Sequence, residues 1–268
     1  LATQIRNADL VNLLSVDLQA RYEPNFALAN AISTLLALPG LRGLWTMSSV
    51  DENGDALDLS EQGRTLTNNN TVTFGRDGLA PYANFVSASS QYLSRADEAG
   101  LDITGTESYI ANPGLTLGGW FYATTAPGTT GIEVLIAKRI GGASNVAYTI
   151  HRTNGGAGGV VDGGIGNGVT TNLATTSSVM QANTWYFLAM RFTPSTEVAI
   201  FLNDEKDTVA TAFASIVNNN KAIGIGAYGN GSGGFLDGRA SLCFLCASAL
   251  PDAIINNIYR QTRALFGV

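Results

Sequence analysis

From residue 44 onward the chain alternates short apolar runs with clusters of Gly, Asn, Asp and Pro, a pattern of strands and turns rather than helices. It predicts strands over 43–47, 70–74, 82–86, 91–95, 115–122, 133–138 and 146–152. Further strands are predicted over 159–165, 185–192, 198–203, 222–228 and 240–247. So many strands without intervening helices imply two packed antiparallel sheets. Stretches 116–122 and 184–190 are apolar at nearly every position, as in central strands covered on both faces. Trp120 and Trp185 are therefore expected in the core, and Trp45 with them.

Two regions depart from this pattern. Over 8–20, Leu10, Leu13, Leu14 and Val16 fall on one helical face, with Asn7 or Asp9 available to cap free amides. Past Pro24, residues Leu28, Ile32, Leu35 and Leu36 recur at helical spacing until Pro39-Gly40 stops them. Helices this apolar pack on the sandwich, pair with each other, or dock on a partner subunit. We expect residues 1–43 to form an N-terminal helical arm contacting other subunits of a homo-oligomer, and residues 44–268 to form one β-sandwich domain. Over 249–266, Pro251 suits a first turn, Asp252 the positive helix end, and Ile254, Ile255, Ile258 and Tyr259 an apolar stripe. A C-terminal helix clamping the sandwich is predicted.

Composition narrows the partners. Charged residues are only 13%, so surface polarity must rest on the hydroxyls and amides of turns and strands. The net charge is −6 and the basic residues are scattered, which excludes the clustered cations of a nucleic-acid interface. No apolar run reaches the roughly 18 to 20 residues of a membrane span, so a soluble chain is expected. The N-terminal residues lack the basic region, apolar core and cleavage site of a secretory signal. Cys243 and Cys246, three apart on a predicted strand, should point to opposite faces as small packing residues rather than bond to each other. A second cysteine pair or histidine cluster for zinc is missing from the sequence.

One motif series has a wider likeness. Gly43-Leu44-Trp45-Thr46-Met47, Ala56-Leu57-Asp58-Leu59, Ala83-Asn84-Phe85 and Gln91-Tyr92-Leu93 come first. They are followed by Asn183-Thr184-Trp185-Tyr186-Phe187, Val198-Ala199-Ile200-Phe201-Leu202-Asn203-Asp204, Ile223-Gly224-Ile225-Gly226 and Phe235-Leu236-Asp237-Gly238. Ala249-Leu250-Pro251-Asp252 and Ile254-Ile255-Asn256-Asn257-Ile258-Tyr259 close the series. In order and spacing this resembles laminin-G-like domains of the concanavalin A-like lectin and glucanase superfamily, over residues 41–259. The resemblance implies an all-β jelly-roll sandwich that binds glycans or proteins, often with calcium, or serves as a structural module.

Candidate chemistry is sparse. Asp51, Asn53 and Asp55 place oxygen-bearing side chains alternately on a turn and can converge on a hard cation, although Ala56 and Gln62 replace the Gly and Glu of an EF-hand loop. Calcium held there, or at Asp237 where the resemblance places an acidic residue, is one expectation. The other is a solvated acidic turn. Glycoside cleavage needs two carboxylates at a set separation, and Glu133, Glu197 and Glu205 each stand without the alternating acidic companions of the related glucanases. No catalytic residue is assigned. His151 has no acidic residue near it in sequence and is expected as a surface or hydrogen-bonded strand histidine. A glycan site would combine an aromatic plane with amide and carboxylate neighbours, and the loop candidates are Tyr82, Tyr109, Asn172, Tyr228 and Asn230. The expected function is a non-catalytic binding or structural module of a larger assembly, on an extracellular or virion surface. The alternatives are a calcium-dependent lectin module and a divergent glycosidase.

Overall fold

The computed structural model describes residues 26–125, 131–153 and 159–268. One sheet has eight strands: β1 (Leu41–Trp45), β3 (Thr73–Asp77), β4 (Ala80–Phe85), β6 (Leu115–Ala123), β11 (Trp185–Thr193), β12 (Glu197–Leu202), β13 (Glu205–Ala210) and β15 (Gly238–Cys246). The other has seven: β2 (Thr67–Asn69), β5 (Tyr92–Arg95), β7 (Ile132–Arg139), β8 (Val146–Thr153), β9 (Val161–Gly166), β10 (Thr171–Thr175) and β14 (Ile223–Ile225). Their orders are β13-β12-β11-β6-β15-β4-β3, with β1 also on β15, and β10-β9-β8-β7-β14-β5-β2. Every pairing is antiparallel, so the chain is the all-β two-sheet sandwich its strand pattern predicts. A helix, α1, covers 26–36, and α2 (Asp252–Thr262) follows the last strand.

The doubly apolar strands earn their composition by burying both faces. Leu188, Met190 and Phe192 of β11 join Leu117 and Phe121 of β6 between the sheets. Phe187 and Ala189 turn the other way with Trp120, into a second cluster that α1 and α2 cover. There Trp120 stacks on Phe266 at 4.2 Å and donates its indole N–H to Thr262 Oγ1 at 2.8 Å. Leu28, Ala31, Leu35 and Leu38 join this cluster together with Ile255 and Ile258, so the described part of the expected arm packs on its own sandwich. Residues 1–25, including the helix expected over 8–20, lie outside the described residues.

Several boundaries differ from the sequence reading. The sheet begins at Leu41 rather than at residue 43 or 44. The predicted strand over 70–74 breaks because Asn70 and Thr71 both adopt a φ of 61°, turning the chain between β2 and β3. Residues 171–175 and 205–210, too polar to read as strands, form β10 and β13 at the sheet ends, where partly exposed faces suit polar side chains. The C-terminal helix is shorter than 249–266, with Arg263–Phe266 continuing as a 3-10 turn. Cys243 faces the inner cluster and Cys246 the outer one, and burial pushes both thiols above their ordinary range.

Candidate functional site: an aromatic and arginine strip

One part of the eight-stranded sheet is left open by the helices. Thr73 pairs with Asn84, Asn84 with Arg239, Arg239 with Tyr122, and Tyr122 with Trp185, forming one row across five strands. Paired residues share a face, so these side chains stand side by side, with Tyr82 two residues from Asn84 on the same side. The Arg239 guanidinium lies over both tyrosine rings, 4.5 Å from the Tyr82 centroid and 4.9 Å from that of Tyr122. Asp77, at the end of β3, meets Arg239 Nη1 at 3.2 Å and accepts the Trp185 indole N–H at 3.3 Å. Tyr122 donates its hydroxyl to Asn183 Oδ1 at 3.1 Å. Gly75 leaves room for the Tyr82 ring, since a Cβ at that position would lie 2.7 Å from the Tyr82 oxygen and displace it. Beside Asp77, a hollow of about 290 Å³ opens between Gly78, Leu79 and the C-terminal Ala264–Gly267 segment.

This strip offers the half-buried rings of Tyr82 and Tyr122, a fixed guanidinium, a half-exposed carboxylate and two amides, while Trp185 is buried beneath it. Such a set binds polyhydroxylated ligands by stacking and hydrogen bonding. It contains no nucleophile with an adjacent base.

Only one of the five predicted ligand residues, Tyr82, lies in the strip. Tyr109 is elsewhere, 73% exposed, with Arg42 over its ring at 5.5 Å and a hollow of about 280 Å³ beside it. Asn172 on β10 donates to the Ala210 carbonyl at 3.2 Å and so ties β10 to β13. Tyr228 and Asn230 share one loop, where Arg139 covers the Tyr228 ring at 5.3 Å and Asn230 accepts from Ser232 at 2.8 Å. The five therefore do not form one site.

The calcium expectation fits the donor geometry poorly. Asp51 Oδ1 accepts the backbone N–H groups of Asn53 and Asp55, each at 2.9 Å, and Asp55 Oδ1 accepts that of Asn68 at 2.7 Å. The first two bonds hold the turn through its own amides, and the third ties it to β2. Asp237 accepts instead from Thr124, the residue after β6, at 2.8 Å. Among the described residues, no three His, Cys, Asp or Glu side chains converge as a metal site.

The carboxylates considered for glycoside cleavage are also dispersed. Glu133 on β7 pairs with Arg152, and Glu197 on β12 with Arg191 and Lys206, while Glu205 is exposed at the start of β13. His151 does have an acidic neighbour. Asp162, directly opposite it on β9, approaches Nε2 at 3.5 Å, and Thr149 meets Nδ1 at 3.2 Å. Burial first, and the nearby Arg139 charge second, lower the His151 pKa to about 3, so the contact at neutral pH joins a neutral imidazole to a carboxylate.

Arg239, Asp77, Tyr122, Asn84 and Asn183 were missed as site residues. Asp77 and Arg239 are 162 residues apart, and only strand order brings them together.

In class, the molecule is a two-sheet antiparallel β-sandwich. No protein-family model and no curated protein matches the chain. Its fold is similar to the binding domain of Paraclostridial Mosquitocidal Protein 1, with a TM-score of 0.62 and 12% identity over 82% of this chain and 52% of that one. It is also similar to the binding domain of botulinum neurotoxin DC, solved in complex with rat synaptotagmin II, with a TM-score of 0.61 and 10% identity over 83% of this chain and 52% of that one. The chain thus spans about half the length of these two structures. Domain 4 of AbnA, a GH43 extracellular arabinanase from Geobacillus stearothermophilus, solved with arabinotriose, gives a TM-score of 0.57 and 15% identity over 82% of this chain and 98% of that domain. At these identities the likeness is one of fold.

Proposed function

We propose that this chain is a non-catalytic glycan-binding module of an extracellular or particle surface, and that the strip around Arg239 is its binding face. The observation that carries this reading is the guanidinium held between Tyr82 and Tyr122, beside Asp77 and in a row with Asn84. Aromatic faces take the apolar side of a sugar ring, and charged or amide groups take its hydroxyls. The fold supports the reading, because the AbnA domain with a similar sandwich was solved with arabinotriose and the toxin domains are described as binding domains. The laminin-G-like resemblance points to the same class of module. The test is binding of the full chain to an immobilised glycan panel, with Arg239→Ala as control. Binding weakened at least about tenfold by that substitution supports the proposal, and a folded chain that binds no glycan overturns it.

A second reading, a structural component that meets neighbouring subunits through residues 1–43, is favoured by Phe26 and Leu36, which α1 leaves exposed. Sedimentation of the full chain tests it, and a monomer at all concentrations counts against it.

A further inference from the structure

The way Asp77 and Arg239 are held leaves an acceptor edge and a donor edge side by side. Asp77 Oδ2 is engaged by the Trp185 indole N–H at 3.3 Å and by Arg239 Nη1 at 3.2 Å. Among the described residues, Asp77 Oδ1 accepts no hydrogen bond and Arg239 Nη2 donates none. Arg239 Nε is buried without a hydrogen-bond partner while the guanidinium lies over the two tyrosine rings. The group is therefore fixed by stacking and by one carboxylate contact, with its remaining edge free. Fixing it in advance removes much of the rotamer entropy a ligand would otherwise have to freeze.

Adjacent hydroxyls on a sugar ring complement this pair. One hydroxyl donates to Asp77 Oδ1, and its neighbour accepts from Arg239. An anionic group suits the pair less well. A carboxylate or sulfate facing Arg239 also faces the half-exposed charge of Asp77, which offsets the guanidinium. The hollow of about 290 Å³ beside Asp77 is bounded by Leu79 and Phe266, an apolar wall for a ring seated by its hydroxyls. Resting on the glycan reading above, we infer that Asp77 and Arg239 form the sugar-selecting element and take a neutral sugar through a vicinal diol.

The experiment is isothermal titration of the full chain with soluble linear arabinan and galactomannan, each intact and after periodate cleavage of its diols with borohydride reduction. Polygalacturonate serves as the acidic probe. The inference expects at least one intact neutral polysaccharide to bind, with affinity falling at least about tenfold after periodate treatment. It expects a similar loss for Asp77→Asn, which removes the charge, and for Arg239→Lys, which removes the planar stack. Equal binding of cleaved chains, or unchanged binding by both variants, overturns the diol assignment while leaving the glycan reading in place. Tightest binding to polygalacturonate, strengthened by Asp77→Asn, also overturns it in favour of an acidic sugar. No binding to any of the polysaccharides, with the chain folded by circular dichroism, overturns the diol assignment, and the glycan panel decides the glycan reading. The periodate comparison uses the unaltered chain, so it decides even where a variant fails to fold.

Discussion

Trp120 on the eight-stranded sheet and Arg152 on the seven-stranded sheet are both wholly buried, yet they are held by opposite means. Trp120 sits among Phe187, Tyr259 and Phe266, and its one polar atom is satisfied by Thr262. Arg152 is held by the Glu133 carboxylate at 2.6 Å and the Thr125 carbonyl. Nearby on the same sheet, buried Lys138 meets Asp97 at 2.5 Å and Asp102 at 3.0 Å, and His151 lies against Asp162. Apolar packing is non-directional and tolerates repacking, whereas a buried charge is stable only while its partners stay in place. The first sheet is thus sealed by aromatic area with helices over it, and the second is locked by directional contacts. The open strip belongs to the sheet sealed chiefly by aromatic area, whose buried ion pairs, Arg191 with Glu197 and Asp252, lie outside the strip.

Substitutions can break this comparison. Lys138→Ala should have the largest effect, about 3 to 5 kcal/mol in urea unfolding, because it strands two acidic partners. Lys138→Met, which restores volume but not charge, should recover little of that loss, and a Met variant close to the wild type would contradict the directional account. Trp120→Ala should cost about 3 to 5 kcal/mol as well, but Trp120→Phe only about 1 to 2, since area rather than orientation dominates there.

A pH series sharpens the contrast at intermediate size. The His151 pKa is lowered from 6.5 to about 3, so the unfolded chain binds a proton that the folded chain refuses across that window. Stability should therefore fall as pH drops from about 6.5 towards 3, by up to about 1.4 kcal/mol per unit. Burial raises the Asp162 pKa, which acts in the opposite sense: its contribution weakens stability as pH rises through the carboxylate range. Melting curves of the wild type and His151→Gln isolate the imidazole. Equal slopes in the two proteins would remove it from the account. The smallest stability effect, within about 1 kcal/mol, is expected for Arg239→Ala, whose partly exposed stack and pairing with the half-exposed Asp77 contribute little to folding. The same substitution should nevertheless remove most glycan affinity.

Sequence carried the sheets further than the site. β6 and β11 were legible because a strand covered on both faces must be apolar at nearly every position, and both are. β13 was not, because its lysine and acidic residues satisfy an edge strand as readily as a turn. Tyr82 could be named as an aromatic candidate, but its partners could not. Arg239 follows Gly238 at the start of a buried strand and looks unremarkable until β4 and β6 are laid beside it. The calcium candidates show the reverse case. Asp51, Asn53 and Asp55 have the spacing of a cation loop, yet Asp51 Oδ1 serves the amides of its own turn and Asp55 Oδ1 that of Asn68 on β2, a choice that spacing alone does not reveal.

The bulge in β15 separates two halves of the molecule. Between Ser241 and Phe244 the pairing with β6 slips, and Leu242 adopts a φ of 46°. On one side of the slip, β15 pairs with β4 over Gly238–Ala240, next to the strip; on the other, it pairs with β1, which leads back to α1. The bulge is thus a boundary between a strip half and an arm half of one strand. The two halves still share one apolar cluster, in which Trp185 joins Leu28, Ala31 and Leu35, so a substitution in one should be felt in the other.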